Sequence, residues 1–177
     1  MRSKYRIINE EGVYFITSTI IEWIPIFTSR KYFDIIINAF KFSQVKKDLK
    51  IYAYIILDNH FHAIVSHPEL SRVIQSIKSF TAKEIVSELE IDKKRWALNI
   101  FKYQKKPYKE ESLYQVWQEG AHPQLIQNQE IFNQKVQYTH FNAVERGLVQ
   151  APEHWYYSSA SAFAGAAEIP LKMDALE

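Results

Sequence analysis

The sequence predicts an α+β domain in which antiparallel strands carry helices on one face. Three observations predict it: short runs rich in Val, Ile, Phe, Tyr and Thr, longer runs with apolar residues at helical spacing, and a two-residue Asp58-Asn59 connection between two of the strand-like runs. Gly12 to Ile20 alternates loosely and reads as a first strand, closed off by Pro25. Ser29 is placed to cap a helix from Arg30 to about Lys47, in which Phe33, Ile36, Ile37 and Phe40 form one apolar face. Ile51 to Leu57 is apolar on both faces, as a central strand would be. Asp58 and Asn59 both tolerate positive φ, so a tight hairpin is expected, followed by a strand from His60 to Ser66. On that strand Phe61, Ala63 and Val65 face one side, and His60, His62 and Ile64 face the other.

Pro68 suits the first turn of a helix from about Glu69 to Glu90, and Asp92 is expected to start another. Pro107 breaks that segment, and a last strand falls somewhere within Leu113 to Ile126. Asn128 is a plausible cap with Glu130 in the first turn, for a helix that runs to about Arg146 and stops at Gly147. Residues from Pro152 onward read as an irregular tail. Strand, helix, strand, strand, helix, strand is most economically a split βαβ, ferredoxin-like sheet, with the last long helix added to it. Such a fold hosts many functions, so function has to come from the site.

Bulk properties narrow the field. With 177 residues, 47% of them hydrophobic, and four Gly and six Pro, the chain is expected to form one globular domain with its own core. It contains no cysteine, which excludes disulfides and thiolate metal sites. Met1-Arg2-Ser3-Lys4-Tyr5 is not followed by an apolar signal core, and no apolar run approaches a membrane span. A cytoplasmic setting is therefore expected. The net charge of +2 hides an asymmetry: Lys93 to Lys109 holds seven basic residues and no acidic one.

His60-Phe61-His62 carries the most chemistry. Two histidines two apart on a strand point to the same face, where neutral imidazoles can ligate a divalent metal. The competing reading is a pair of histidines on a polar strand face. Tyr138 and Asn142, four apart on the last long helix, share a face as well. If that helix packs on the strand, two imidazoles and a carboxamide would hold a metal beside a phenol. The amide oxygen favours magnesium or manganese over zinc. His67 reads as a cap or loop residue, His122 and His154 as loop and tail residues, and His140 lies on a different helical face from Tyr138.

Here the sequence resembles a known family. Ile56-Leu57-Asp58-Asn59-His60-Phe61-His62-Ala63-Ile64-Val65 is similar to the signature of HUH single-tyrosine transposases, in particular the REP-associated tyrosine transposases of bacteria. Val116-Trp117-Gln118-Glu119-Gly120-Ala121-His122 resembles their Trp-Gln segment. Tyr138 to Val149 resembles their nucleophile helix and the turn after it, and Pro152-Glu153-His154-Trp155 with Ser158-Ser159 resembles their tail. The resemblance implies a ferredoxin-like fold and an enzyme that cuts and rejoins single-stranded DNA near hairpins, leaving a 5′-phosphotyrosine and a free 3′-hydroxyl. Carried over by position, it implies Tyr138 as nucleophile, and His60, His62 and Asn142 as ligands of Mg²⁺ or Mn²⁺. It also implies a bacterial, nucleoid-associated protein, and a homodimer in which the tyrosine helix completes a partner's site is an open arrangement. The chain departs from the pattern at Asp58 and Ala143, both usually proline.

Lys93, Lys94, Arg95, Lys102, Lys105, Lys106 and Lys109 interleave with Trp96, Phe101, Tyr103 and Tyr108. Cations for phosphates and rings for bases would suit single-stranded or hairpin DNA. The competing reading buries Trp96, Ile100 and Tyr103 on an amphipathic helix with a solvated lysine face. The function expected from the whole is metal-dependent DNA nicking and strand transfer. The alternatives are a hairpin-binding relative that no longer cuts, and a metal hydrolase that uses water in place of Tyr138.

Overall fold

A computed structural model describes residue 7, residue 9 and residues 11–108, 112–166 and 169–176. Lys109 of the basic run lies outside them. Strand β1 (Tyr14–Thr19) leads through a 3-10 turn (Ile21–Trp23) to helix α1 (Arg30–Lys47). Strands β2 (Lys50–Ile56) and β3 (His60–Ser66) follow, then helices α2 (Leu70–Ile91) and α3 (Arg95–Tyr103). Strand β4 is Gln124–Leu125 and helix α4 is Gln129–Glu145, and a second 3-10 turn (Pro152–His154) and the short helix α5 (Ala160–Phe163) close the chain.

The sheet order is β2-β3-β1-β4 and every pairing is antiparallel. This is the expected split βαβ, ferredoxin-like arrangement. One face packs on α1 and α2: Phe61, Ala63 and Val65 of β3 join Ile36, Phe40, Ile77 and Ile85 in the main core. The other face receives α4, where Phe15, Tyr52, Ala53 and Ile64 meet Phe132. A bulge lets Tyr52 and Ala53 both face α4, since the β2–β3 register slips between Ile51 and Ala53. Helix α4 thus lies on the sheet face that carries His60 and His62.

Local chemistry explains the α4 ends. The Asn128 side chain accepts a hydrogen bond from the Ile131 N–H at 2.9 Å, the expected N-cap. At the other end Gly147 takes φ +69, with Gly147 N–H donating to Val144 and Leu148 N–H to Ala143, which closes a Schellman turn. Asn128→Ala should cost about 1 kcal/mol, a Tm drop of roughly 2–4 °C. Thermal denaturation checks this, and an unchanged Tm would contradict the capping role.

Several expectations need correction. Ser29 sits at the start of α1, but its hydroxyl makes no capping bond. The Asp58-Asn59 turn is closed by Leu57 N–H donating to the His60 carbonyl, yet neither turn residue has positive φ. Its backbone is held instead by long-range bonds: the Asp58 carbonyl accepts from Ile26 and Phe27, and the Asn59 carbonyl from Ile20. Asp92 does not start α3. It ends α2, and its carboxylate is taken by the Lys31 ammonium and the Tyr32 hydroxyl. The last strand is only two residues, because Val116 to Ala121 runs beside β1 through single bonds such as Gln118 N–H to the Thr19 carbonyl.

The segment expected to be an irregular tail is a structural strap. Ser158 bridges Ile55, Ile56 N–H donates to Tyr157, Ser159 N–H to Tyr54, and Asp174 N–H to Ile51. These bonds cover the open edge of β2, which would otherwise be free to pair with another chain. Trp155 adds an indole bond of 2.9 Å to the Ile56 carbonyl.

Candidate active site

Strand alternation puts His60 and His62 on the α4 face of β3, and both rings are buried, at 8% and 5% exposure. Their centroids lie 4.8 Å apart, at a steep mutual angle of 74°. The Asn59 side chain orients the first ring. Its Nδ2 donates to the Trp23 carbonyl at 2.7 Å, which turns Oδ1 toward His60 Nδ1 at 2.6 Å. An amide oxygen only accepts, so His60 Nδ1 carries the proton and Nε2 holds the lone pair. His62 Nδ1 lies 2.7 Å from the Thr17 hydroxyl on β1, across the registered pair Thr17–His62. That hydroxyl can accept a hydrogen bond from Nδ1–H, which leaves the lone pair of His62 on Nε2 as well.

Helix α4 sets Tyr138 above this pair. Its ring is 5.3 Å from His62 and 5.8 Å from Phe15, both edge-on, while Phe15 stacks on His62 at 5.2 Å. The Tyr138 side chain remains 43% exposed, so a substrate can reach the phenol. Asn142, one turn further on, is buried. The structure therefore gathers Tyr138, His60 and His62 at one place within a single chain, with Asn142 on the same helix.

Two residues there were not singled out from sequence. Lys135, one turn before Tyr138, holds its ammonium 4.7 Å from the Phe15 ring and 5.9 Å from the Tyr138 ring. Its i−3 spacing from Tyr138 was the available signal. Trp23 meets His60 edge-on at 6.0 Å. Asp58, at the hairpin turn, accepts a bond of 2.7 Å from the Arg146 guanidinium and ties that turn to the end of α4. A pair this exposed contributes at most about 1 kcal/mol, so its effect is one of placement.

The donor set suits a divalent cation in one respect that can be read directly. Burial, helped by Arg146 and opposed by Asp58, pushes His60 down to about 4. Burial, with His60 and Lys135 adding to it, pushes His62 down to about 3. Both rings are thus neutral at physiological pH, as ligation requires. Among the described residues no group of three or more His, Cys, Asp and Glu could hold a metal. A third protein donor would have to be of another kind, and the Asn142 carboxamide is of that kind.

His140 points elsewhere, as expected. Its Nε2 lies 2.8 Å from the Ser159 hydroxyl, which also binds the Tyr54 backbone, and burial lowers it to about 4. Depressed histidines make a pH prediction with a definite sign. The unfolded chain takes up protons near pH 6.5, whereas the folded rings do so only toward 4 or below. Their contribution is complete above about pH 6.5 and is lost as pH falls from there. The metal-free protein should melt at a lower temperature at about pH 5 than at about pH 7.5, and His140→Asn should flatten part of that slope. A Tm that does not move over this range would contradict the prediction.

His67 caps the turn before α2, accepting from Glu69 N–H at 2.9 Å. The Trp-Gln segment is structural. Trp117 is buried against Phe61, its indole N–H donates to the Thr81 hydroxyl at 3.1 Å, and it bridges Ile20 at the end of β1.

On α3 the buried stripe is Ala97 and Phe101, so the expected alternative with Trp96 and Tyr103 in the core does not hold. Trp96 and Tyr103 are exposed, at 49% and 87%. Lys93, Arg95, Lys102 and Lys106 are exposed beside them, and Lys105 is half-buried. Lys94 is engaged locally, its ammonium 4.6 Å from the Tyr32 ring and 3.4 Å from the Thr28 hydroxyl.

Comparison with solved structures finds the REP-associated tyrosine transposase bound to a REP hairpin. It is 19% identical, with 100% of this chain and 94% of that chain aligned at a TM-score of 0.66. The fold of this chain is therefore the fold of that transposase. No protein-family profile and no curated protein matches the chain. No helix among the described residues is long and apolar enough to cross a membrane.

Proposed function

We propose that this protein nicks single-stranded DNA beside a hairpin and rejoins it through a covalent bond to Tyr138. The observation that carries this reading is the exposed Tyr138 phenol on a helix whose ring stands 5.3 Å from a buried, neutral His62, itself paired with His60. Its oxygen attacks the phosphorus of a backbone phosphodiester. The phenol gives up its proton to solvent, the bond from phosphorus to the 3′ oxygen breaks, that oxygen takes up a proton, and the 5′-phosphate stays on the tyrosine oxygen. A second 3′-hydroxyl attacking the phosphotyrosine reverses these steps and joins a new strand, restoring the phenol.

His60, His62 and Asn142 would hold the Mg²⁺ or Mn²⁺ ion, which when bound polarises the scissile phosphate. Asn59 and Thr17 orient the two rings. Lys135 lies where its charge can meet a phosphate approaching Tyr138. The likeness in fold to a transposase bound to a REP hairpin supports a DNA hairpin as the partner class.

The test is a strand-cleavage assay with a labelled oligonucleotide that carries a hairpin and a single-stranded flank. In Mg²⁺ or Mn²⁺ the expected products are a fragment ending in a 3′-hydroxyl and a protein-linked 5′ end. Binding without any cleavage would contradict the reading.

The α3 face gives a separate test. Replacing Lys102, Lys105 and Lys106 by glutamine should weaken binding and reduce the slope of log affinity against log salt by about one per lost phosphate contact. Hairpin and single-strand affinities should both fall. Unaltered affinity and slope would show that DNA does not use this face.

A further inference from the structure

Trp23 is 58% exposed, yet it stands at the rim of the His pair with its ring edge-on to His60. Its backbone is not at ease. Glu22 and Trp23 are consecutive residues at φ +55 and +56, a left-handed conformation that side-chain-bearing residues keep only where the surroundings enforce it. The enforcement is visible on both sides. Ile20 N–H donates to the Asn59 carbonyl and Ile21 N–H to the Val116 carbonyl, both at 2.8 Å. The Asn59 amide then donates to the Trp23 carbonyl with the same carboxamide that orients His60. One side chain thus fixes the position of an exposed indole relative to a buried imidazole. Core packing does not require this, since a tryptophan left mostly in water contributes little to the core.

Glu22, the neighbour of Trp23 in sequence, lines a groove of about 430 Å³ with Asn99, Ile100 and Tyr103 of α3 and Gln104 just after it. The exposed Tyr103 ring stands along it.

We infer that Trp23 is the stacking platform for an unpaired nucleobase adjacent to the phosphate that Tyr138 attacks. The inference rests on the proposed reaction and adds the residue that seats the strand in it. An indole face accepts any base, so the platform fixes the position of the strand without selecting its sequence.

The experiment places 2-aminopurine at successive positions of a hairpin oligonucleotide's single-stranded flank and measures its fluorescence on binding. A Tyr138→Phe background keeps the strand whole. One flank position beside the cut site is expected to be quenched. Trp23→Ala should abolish that quench and weaken binding about 5- to 100-fold, while Trp23→Phe should restore most of both. The melting temperature of Trp23→Ala should stay close to that of its parent, because the side chain is exposed. Unchanged quench and affinity in Trp23→Ala, or a Trp23→Phe variant as impaired as Trp23→Ala, overturns the inference alone. If the protein with Trp23 intact binds no hairpin strand, the proposed reaction falls and the stacking role falls with it.

Discussion

Tyr138→Phe is expected to lose strand cleavage by about 10⁴-fold or more, the scale of losing a nucleophile, while binding the same DNA. The ring would keep its edge contacts with His62 and Phe15. Only the hydroxyl of a half-exposed residue is removed, so stability should change by no more than about 0.5 kcal/mol. The comparison is single-turnover cleavage against equilibrium binding, with a melt to confirm folding. Cleavage at the wild-type rate by this variant would mean that another tyrosine, or water, is the nucleophile.

The second large effect concerns the histidines. His60→Ala and His62→Ala should each lower metal-dependent cleavage by about 10² to 10⁴-fold, which matches the loss of several kcal/mol of charge stabilisation. Calorimetric titration with Mn²⁺ should show the binding site weakened in both variants and in Asn142→Ala. His62→Ala should also melt earlier, because Phe15 loses the ring stacked on it. A double histidine variant that cuts normally in Mg²⁺ would remove the metal assignment, and an unchanged titration in Asn142→Ala would move the third donor elsewhere.

Most of the scaffold was legible because its signals are local. The runs Tyr14–Thr19, Lys50–Ile56 and His60–Ser66 have the composition of strands, and alternation alone placed the two histidines on the face opposite Phe61. Asn128 and Gly147 bounded α4 by capping chemistry that acts within one turn. What escaped is held by long-range contacts. The Asp58-Asn59 turn takes its shape from N–H groups of Ile20, Ile26 and Phe27, not from its own φ preferences. The segment from Val116 to Ala121 has no period, because single bonds to β1 and a buried Trp117 hold it. The strap after Pro152 shows no pattern, since its order comes from the open edge of β2.

The site divides in the same way. That His60 and His62 share a face, and that Tyr138 and Asn142 share a helix, was readable by spacing, and the structure brings Tyr138 beside the two rings. Trp23 was not, because an indole among Ile20, Ile21, Ile24 and Ile26 reads as core until the left-handed turn exposes it. Asn59 read only as a turn residue, while its amide in fact links Trp23 and His60. Asp58, one of the two departures from the family pattern, is paired with the Arg146 guanidinium at the end of α4.

A covalent bond between Tyr138 and a 5′-phosphate would leave its mass on the tyrosine's peptide. The protein is incubated in Mg²⁺ with a hairpin oligonucleotide whose strand begins a few nucleotides 5′ of the cut site, so that the short fragment carrying the 3′-hydroxyl diffuses away and the adduct accumulates. Denaturation, digestion and tandem mass spectrometry then locate the modified residue. A phosphonucleotide mass on the peptide that contains Tyr138, absent in Tyr138→Phe, is the predicted result. Strand cleavage with no adduct, or an adduct on a different tyrosine, would contradict it.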